Sequence, residues 1–480
     1  MLRKHYDVVI IGAGPAGLFA AHELKELHHI RVLVVDRGAP PDLRICPLYD
    51  SSSPACSCKV CGRVQGGGGA GLFSDGKLVL DLQSGGHLRE YSLPYPEHDL
   101  LSTIENTLYY YDGYSVDLNP GLDDITAWNK QFTANNLSLK TYPVRHFGSY
   151  NLRNIMTTFI KSLREYVDFS FWSDVTDIQI DADNRKVLVV NTKDGQITIN
   201  TNTLVFAVGK FGAQWLNRML TNLGVTFDRN RTYLGVRIET PSSTLSELFK
   251  LSFDPKIYHI FDDGSKIKTH CFCRNGEIVT VRFEGLPQVG GHTPYTEKNL
   301  RGGHQAQNRK SNFAVLLGDT EGLRFSKEQI DRWLIQLNEV TQGKILVQRM
   351  GDFLKSQPSS IQSLNQNSLE VDLKHFSPGN LLDFDLPLEF KQKFLWFMER
   401  LNRVVPGLLD PDNLIYAPAM EWCMDRVPVD INMQTALPGV FAIGDGAGLS
   451  QGIVHAAATG ILAGRSIRSQ YSKERTVITV

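Results

Sequence analysis

Several things are missing from this 480-residue chain, and each absence removes a class of protein. The net charge is −1, from 50 basic and 51 acidic residues, and there is no sustained basic run. Electrostatics therefore point to neither nucleic acid nor an anionic membrane as partner. No uninterrupted apolar stretch reaches the ~18 residues that span a bilayer. No internal repeat or low-complexity tract appears, and none of the 13 histidines forms a ligand pair such as H-E-x-x-H. Met1-Leu2-Arg3-Lys4-His5 runs directly into strand-like sequence, which leaves no room for a secretion signal, so a cytoplasmic location is expected. The seven cysteines are then thiols, ligands or redox groups rather than a disulfide framework. What is present, 42% hydrophobic and 21% charged residues, suits a globular protein of two or three domains.

The strand-like run Tyr6-Asp7-Val8-Val9-Ile10-Ile11 leads into Gly12-Ala13-Gly14-Pro15-Ala16-Gly17 and then a helix-like stretch to Leu27. This is the strand-turn-helix setting that a dinucleotide fingerprint requires. Gly12 permits the tight turn, Gly14 lets backbone approach a pyrophosphate, and Gly17 lets the helix pack close to the strand. The helix start, with Pro15 and Ala16, offers free N–H groups and the positive end of a dipole. A second strand-like run, Ile30 to Val35, ends at Asp36, placed to accept hydrogen bonds from an unphosphorylated ribose. This fingerprint alone does not separate NAD from FAD.

A distant segment does. Leu437-Pro438-Gly439-Val440-Phe441-Ala442-Ile443-Gly444-Asp445 reads as a short buried strand with an acid at its tip, followed by a glycine loop and a small-residue helix from Gly452. This arrangement resembles the C-terminal half of the FAD site in glutathione-reductase-like flavoproteins. Thr203-Leu204-Val205-Phe206-Ala207-Val208-Gly209 is similar to the strand that closes their nucleotide domain. The resemblance implies that Asp445 meets the ribityl or pyrophosphate region and that Gly452 and Ile453 lie at the pyrimidine end of the isoalloxazine. It adds Arg37, Val175, Ala207, Gly209, Gly444 and Gln451 to the cofactor-binding set.

The fold class expected is α/β, a Rossmann-like, glutathione-reductase-like FAD-binding domain with an inserted α+β substrate domain. Residues 1–90, 140–222 and 405–480 are assigned to the first, 91–139 to a small helical excursion, and 223–404 to the substrate domain. Within the last, strands are expected at Thr232–Glu239, Glu277–Phe283 and Asn312–Leu317, and helices at Lys327–Asn338 and Leu388–Asn402. No second strand, G-x-G-x-x-G and helix unit lies between Leu223 and Arg403, so a dedicated NADPH domain is absent. NAD(P)H or a protein electron carrier that docks transiently stays open.

Residues 62–78 are too glycine-dense for a helix, and their embedded Leu72, Phe73, Asp75 and Lys77 do not suit a flexible linker. Such a loop allows close backbone approach to a flat ligand, here the isoalloxazine. The run from Gly68 to Lys77, which includes Gly69, Ala70, Gly71 and Ser74, resembles the signature of a family of FAD-dependent dehydrogenases whose members mostly lack an assigned substrate. The likeness extends along nearly the whole chain. It takes in the fingerprint, the cysteine cluster, Leu234–Glu239, the segment from Cys271 to Val279 and the Gly444-Asp445-Gly446 block. Arg274-Asn275 departs from the family's Pro-Gly, which puts the geometry of that loop in question. The resemblance implies that Ser74, Asp75 and Lys77 lie close to the flavin. Lys77 has two readings: an ammonium that stabilises reduced flavin or orients a carboxylate, or a cap on loop carbonyls. Asp75 reads as a turn residue.

Cys46, Cys56, Cys58 and Cys61 cluster as C-x9-C-x-C-x2-C. Three readings stand: a zinc or iron-sulfur site, for which the spacing is not standard and no metal is assigned; a redox pair of Cys58 and Cys61; or reduced structural thiols. Cys271 and Cys273 fit alternate positions of a strand. His455, just inside the helix after Gly452, is the best-placed histidine for flavin tuning, and His270 the best in the second domain. Arg237, Arg282, Arg301 and His304 suggest an anion-binding face and favour a carboxylated substrate. Lys77, His455, Cys271 and Arg237 are thus the catalytic candidates in an FAD-dependent oxidoreductase that moves a hydride between flavin N5 and a C–H, C–N or C=C bond of a small molecule. The alternatives are a flavin monooxygenase using NAD(P)H and dioxygen, and a non-catalytic flavin-binding redox sensor.

Overall fold

The computed structural model describes residues 2–46, 58–73, 76–112, 116–117, 122–228, 232–283, 285–293, 309–319, 327–384, 386 and 389–478. The chain forms two compact units. One comprises Met1–Val116, Arg145–Asn230 and Cys423–Val480, the other Asp117–Val144 and Arg231–Trp422. Besides shifts of 5 and 8 residues at 140–144 and 223–230, these bounds differ from the sequence-based ones in two larger stretches. Residues 405–422 go with the second unit because Leu414–Trp422 is an internal strand of its sheet, bonded on both sides. The 91–139 segment is divided, with helix Glu97–Asp112 in the first unit and Leu122–Ala134 in the second. Helical spacing marks a helix but not the sheet it covers.

In the first unit, parallel strands run in the order Asp168–Ser170, Val32–Val35, His5–Ile11 and Gly195–Phe206, and Val440–Ala442 also pairs with the last. Lys186–Thr192 and Asp174–Ile180 continue the sheet antiparallel. Val8, Val9 and Ile10 are fully buried, as both faces of a covered parallel strand must be. Helix Pro15–Leu24 lies against the long C-terminal helix Ile453–Ile478, and the approach is close. A Cβ on Gly460 would stand 2.2 Å from the Ala16 carbonyl oxygen. Arg465 and Arg468 meet the buried Glu23 across this contact at 3.3 and 3.2 Å.

The second unit is built on an eight-stranded sheet in the order Phe376–Pro378, Ile345–Arg349, Leu414–Trp422, Thr232–Pro241, Lys310–Asp319, Ser265–Cys273, Lys256–Ile260 and Ser138–Lys140. Alternation along Thr232–Pro241 divides its two faces. Leu234, Val236 and Ile238 join Trp333, Phe394 and Phe397 of helices Lys327–Val340 and Phe390–Val404 in one apolar core. The hairpin Glu277–Phe283 and Leu286–His292 covers the other face, and there Arg237 and Glu239 are buried.

Glu239 accepts a hydrogen bond from Tyr416 Oη at 2.6 Å and lies 3.5 Å from Lys310 Nζ. Burial, with the Asp372 carboxylate nearby, pushes its pKa well above the ordinary 4.5. A carboxyl raised in this way costs nothing while both states are protonated. Its cost grows as pH rises from 4.5 toward the folded-state value, because only the unfolded chain ionises there. Glu239→Gln keeps the neutral form. Urea denaturation across pH 5 to 8 is expected to show the variant gaining on wild type as pH rises, and a constant difference would refute a protonated Glu239.

Candidate functional site

The first loop of the first unit is shaped by two contacts that only glycine permits. Gly12 has φ +114°, and a Cβ there would lie 2.2 Å from the Ala207 carbonyl oxygen at the end of the neighbouring strand. A Cβ on Gly17 would lie 2.0 Å from the Gly12 carbonyl oxygen. Gly14 differs from both. Its backbone is extended, φ −80° and ψ −179°, and the nearest atom to a Cβ would be Gly69 Cα at 3.7 Å. Among the described residues, no other atom comes within 4 Å of that Cβ position. Helix Pro15–Leu24 begins there with no side-chain cap, so its first N–H groups face outward as an anion cradle.

Asp36 ties this loop to the next. Its Oδ2 accepts from Ala13 N and its Oδ1 from Gly38 N, both at 2.8 Å. Burial raises its pKa, and the two N–H groups and Arg44 partly offset that. Each oxygen keeps a second lone pair for a ribose hydroxyl. Arg37 stands at the rim, 3.8 Å from Asp174. Val175 is buried in the core of the sheet.

The glycine run is packed against its neighbours in the protein. Gly68 N donates to Ala13 O at 2.8 Å and Gly67 N to Ala39 O at 2.9 Å, so Gly66–Gly69 lies on the fingerprint and Asp36 loops. A Cβ on Gly66 would meet the Ala39 carbonyl oxygen at 2.6 Å, and one on Gly67, Gly68 or Gly69 would meet the side chain of Pro41, Leu72 or Pro15 at 2.7 to 2.9 Å. Ala70 and Gly71 form the short turn Ala70–Phe73, and Gly71 lies against the Ile453 side chain. Ser74 and Asp75 lie outside the described residues. Lys77, partly exposed, opens strand Lys77–Val79.

Sequence reading missed the residue that holds this loop. Arg44 is 1% exposed and donates to the carbonyls of Gly62 (2.9 Å), Arg63 (2.8 Å), Gly67 (2.8 Å) and Gly69 (2.6 Å). Arg153 supports it by donating to Arg44 O at 2.7 Å and to Pro41 O at 2.7 Å. Burial lowers the Arg44 pKa to about 10, which leaves it charged at neutral pH. One arginine eighteen residues before a glycine loop carries no pattern that could have singled it out.

The C-terminal loop completes the site. Gly444 faces Ala16, and Gly446 faces Gly209 so closely that a Cβ would lie 2.4 Å from its carbonyl oxygen. Asp445 accepts from Ser450 Oγ at 2.5 Å and from Gly452 N at 3.3 Å, which fixes the start of helix Ile453–Ile478. Nothing lies within 4 Å of a Cβ built on Gly209 or on Gly452. Gln451 donates to Cys423 Sγ at 2.6 Å, a thiol that no motif had marked.

The four catalytic candidates fall into different units. His455 is only 2% exposed; its Nε2 lies 2.9 Å from Asp81 O, and Nδ1 has no partner among the described residues. Burial lowers its pKa and keeps it neutral. That contact ties the ring to the 81–86 loop. Arg237 and Cys271 do come together in the second unit, with Nη1 donating to Cys271 O at 3.2 Å. The expected anion-binding face is not assembled among the described residues. Arg237 is 3% exposed, Arg282 is exposed and turned onto Gly285 O, and Arg301 and His304 lie outside the description. His270 lies 3.7 Å from Glu421. Cys46 is buried, Cys58 exposed and Cys61 intermediate, while Cys56 lies outside. Among the described residues no three His, Cys, Asp or Glu side chains converge as a metal would need.

Residues 7–43 match a family model described as an FAD binding domain. The chain binds FAD. As a flavoprotein it is an oxidoreductase, because hydride and electron transfer are what that cofactor carries. The residues present fit the group: an uncapped helix start over an unfilled Gly14, an acid at each half-site, and open backbone at Gly209 and Gly452. A search of curated proteins finds no match. Solved structures similar to this chain include p-nitrophenol 4-monooxygenase from Pseudomonas putida (10% identity, covering 97% of this chain and 79% of that one, TM-score 0.39). Glycine oxidase from Geobacillus kaustophilus is another (12%, 97% and 94%, TM-score 0.36). A geranylgeranyl bacteriochlorophyll reductase-like protein from Thermoplasma acidophilum is a third (11%, 98% and 80%, TM-score 0.41). Likeness at this level says nothing about substrate. No helix among the described residues is long and apolar enough to cross a membrane.

Proposed function

We propose that this flavoprotein exchanges a hydride with a C–H, C–N or C=C bond of a small organic molecule, in the cytoplasm. The observation that carries the reading is convergence. Gly12 meets Ala207, Gly14 meets Gly69, Ala16 meets Gly444, Gly71 meets Ile453 and Gly446 meets Gly209, so four segments far apart in sequence come together. FAD, when bound, supplies the hydride acceptor or donor. The chain holds it and orients it. The N–H groups of the Pro15–Leu24 helix start take the pyrophosphate, Asp36 the ribose, and Asp445 with Gly452 and Ile453 the second half. Lys77 offers a positive charge for a reduced flavin or a carboxylate.

Purified protein reconstituted with FAD is expected to show the oxidised-flavin bands, and these should bleach anaerobically with a metabolite fraction free of NAD(P)H. Lack of bands after reconstitution refutes the reading. NAD(P)H consumption with incorporation of labelled dioxygen would mark a monooxygenase instead, and no bleaching by any fraction would mark a sensor. Asp445→Ala removes the anchor of Gly452 N and is expected to weaken FAD binding about 10-fold or more, a charge-assisted hydrogen bond being worth ~1.5–3 kcal/mol. Flavin titration by fluorescence quenching measures it.

A further inference from the structure

The second unit buries a guanidinium that meets no carboxylate among the described residues. Arg237 Nη1 donates to Cys271 O at 3.2 Å and to Asn312 Oδ1, and the same nitrogen lies 3.7 Å from Cys273 Sγ. Its Nε has no partner among the described residues. Burial acts to lower the Arg237 pKa, and the Cys273 and Cys271 sulfurs more than offset it. A buried cation needs a counter-charge. The hairpin closes one approach from outside: a Cβ on Gly291 would lie 2.2 Å from Nη1 and 2.6 Å from Cys273 Sγ. An incoming anion has no room there. The sulfurs of Cys271 and Cys273 are the neighbours able to become anionic, and a guanidinium beside a thiol favours the thiolate.

The two thiols are not equivalent. Cys273 is 1% exposed, whereas Cys271 is partly exposed and sits at φ +50°. There the strand slips register against Lys310–Asp319 between His270 and Cys273. Cys273 Sγ turns back to 3.6 Å from the Cys271 carbonyl. The other groups around the pair come from several elements: buried His292 of the hairpin, His270 and exposed Arg274 flanking the pair in sequence, and Asp254, whose Oδ1 accepts from Phe272 N at 3.1 Å. Asp254 is itself paired with Lys256 at 3.0 Å, so Arg237 dominates the local field.

We propose that Cys271 and Cys273, activated by Arg237, form a thiol–disulfide exchange site for small-molecule disulfides, independent of the flavin. The Cys271 thiolate attacks one sulfur of RSSR; that S–S bond breaks, a mixed disulfide forms and RS− leaves. The Cys273 thiolate then attacks Cys271 Sγ and releases the second RS−. The chain gives up two electrons and RSSR takes them, and the protons lost by the cysteines appear on the two RSH released.

The test is reaction of the full-length, FAD-loaded protein with 4,4′-dithiodipyridine by stopped flow from pH 5.5 to 9, with peptide mapping of the products. The expected result at pH 6 is a phase about tenfold or more faster than an ordinary thiol. It should release two thiopyridones per chain and leave a Cys271–Cys273 disulfide. Cys273→Ser should release one and retain the mixed disulfide on Cys271, and Cys271→Ser should abolish the fast phase. Arg237→Gln should slow it about tenfold at pH 6 with the gap closing by pH 9. Should that variant not fold, the wild-type profile decides. A rate flat above pH 7 supports the site, and one that climbs up to the ordinary thiol pKa of ~8.5 overturns it. A fast phase mapping to other cysteines also overturns it.

Discussion

Gly14→Ala is expected to leave the apoprotein as stable as wild type and to weaken FAD binding by about 10- to 100-fold, which corresponds to ~1.4–2.8 kcal/mol. The asymmetry comes from where the new methyl group would go. At Gly14 the backbone is extended and the nearest protein atom would be 3.7 Å away, an ordinary contact, so the fold has no objection. The space entered is the one proposed for the pyrophosphate. Gly17→Ala places its methyl 2.0 Å from the Gly12 carbonyl oxygen and is expected to cost ~1–3 kcal/mol of stability, because the helix must move off the strand. The informative comparison is apo stability by urea denaturation against FAD affinity by quenching, in both variants. Wild-type affinity in Gly14→Ala would place the cofactor elsewhere.

Arg44→Met should be the most damaging single change in the first unit. Methionine occupies the volume of the stem but leaves the carbonyls of Gly62, Arg63, Gly67 and Gly69 without their donor. Each stranded buried acceptor costs ~1–3 kcal/mol, less where water reaches it, so a loss of ~3–5 kcal/mol is expected. The 62–69 loop should loosen, and FAD affinity should fall with it because Gly69 faces Gly14. Arg44→Lys keeps the charge, but its three donors radiate from a single nitrogen, and it should recover only part of the loss. Chemical denaturation and flavin retention on gel filtration report the two effects. A change under ~1 kcal/mol would show that water satisfies these carbonyls and that the arginine is not the staple.

The parts of the site that were legible were those where one residue type answers one local demand. Gly12 and Gly17 are required within a dozen residues of each other, Asp36 stands at the tip of the second strand, and Asp445 precedes a helix start. Such demands leave a pattern at short range. The glycine run at 66–69 was legible as special, but a sequence shows that a Cβ is forbidden without showing what forbids it; here Ala39, Pro41, Leu72 and Pro15 lie where the Cβ atoms would go. His455 shows a related limit. A place in the first turn of a helix does not reveal which side its ring faces, and the ring is turned onto the 81–86 loop. Residues 405–422 were assigned by sequence to the FAD-binding domain, yet strand Leu414–Trp422 joins the other sheet through hydrogen-bonding partners nearly two hundred residues away in Thr232–Pro241.

By itself, then, the sequence determined the cofactor class, the α/β fold class and the glycine loops proposed to hold FAD, since these rest on short-range constraints of backbone geometry and period. Only the tertiary structure decided that Arg44 holds the glycine loop, that Gly14 alone of the fingerprint glycines has its space unfilled, and that Arg237 lies against Cys271 and Cys273. Those facts depend on which buried donor finds which acceptor across tens of residues. Burial makes each such pairing obligatory, but only the folded chain specifies the partner.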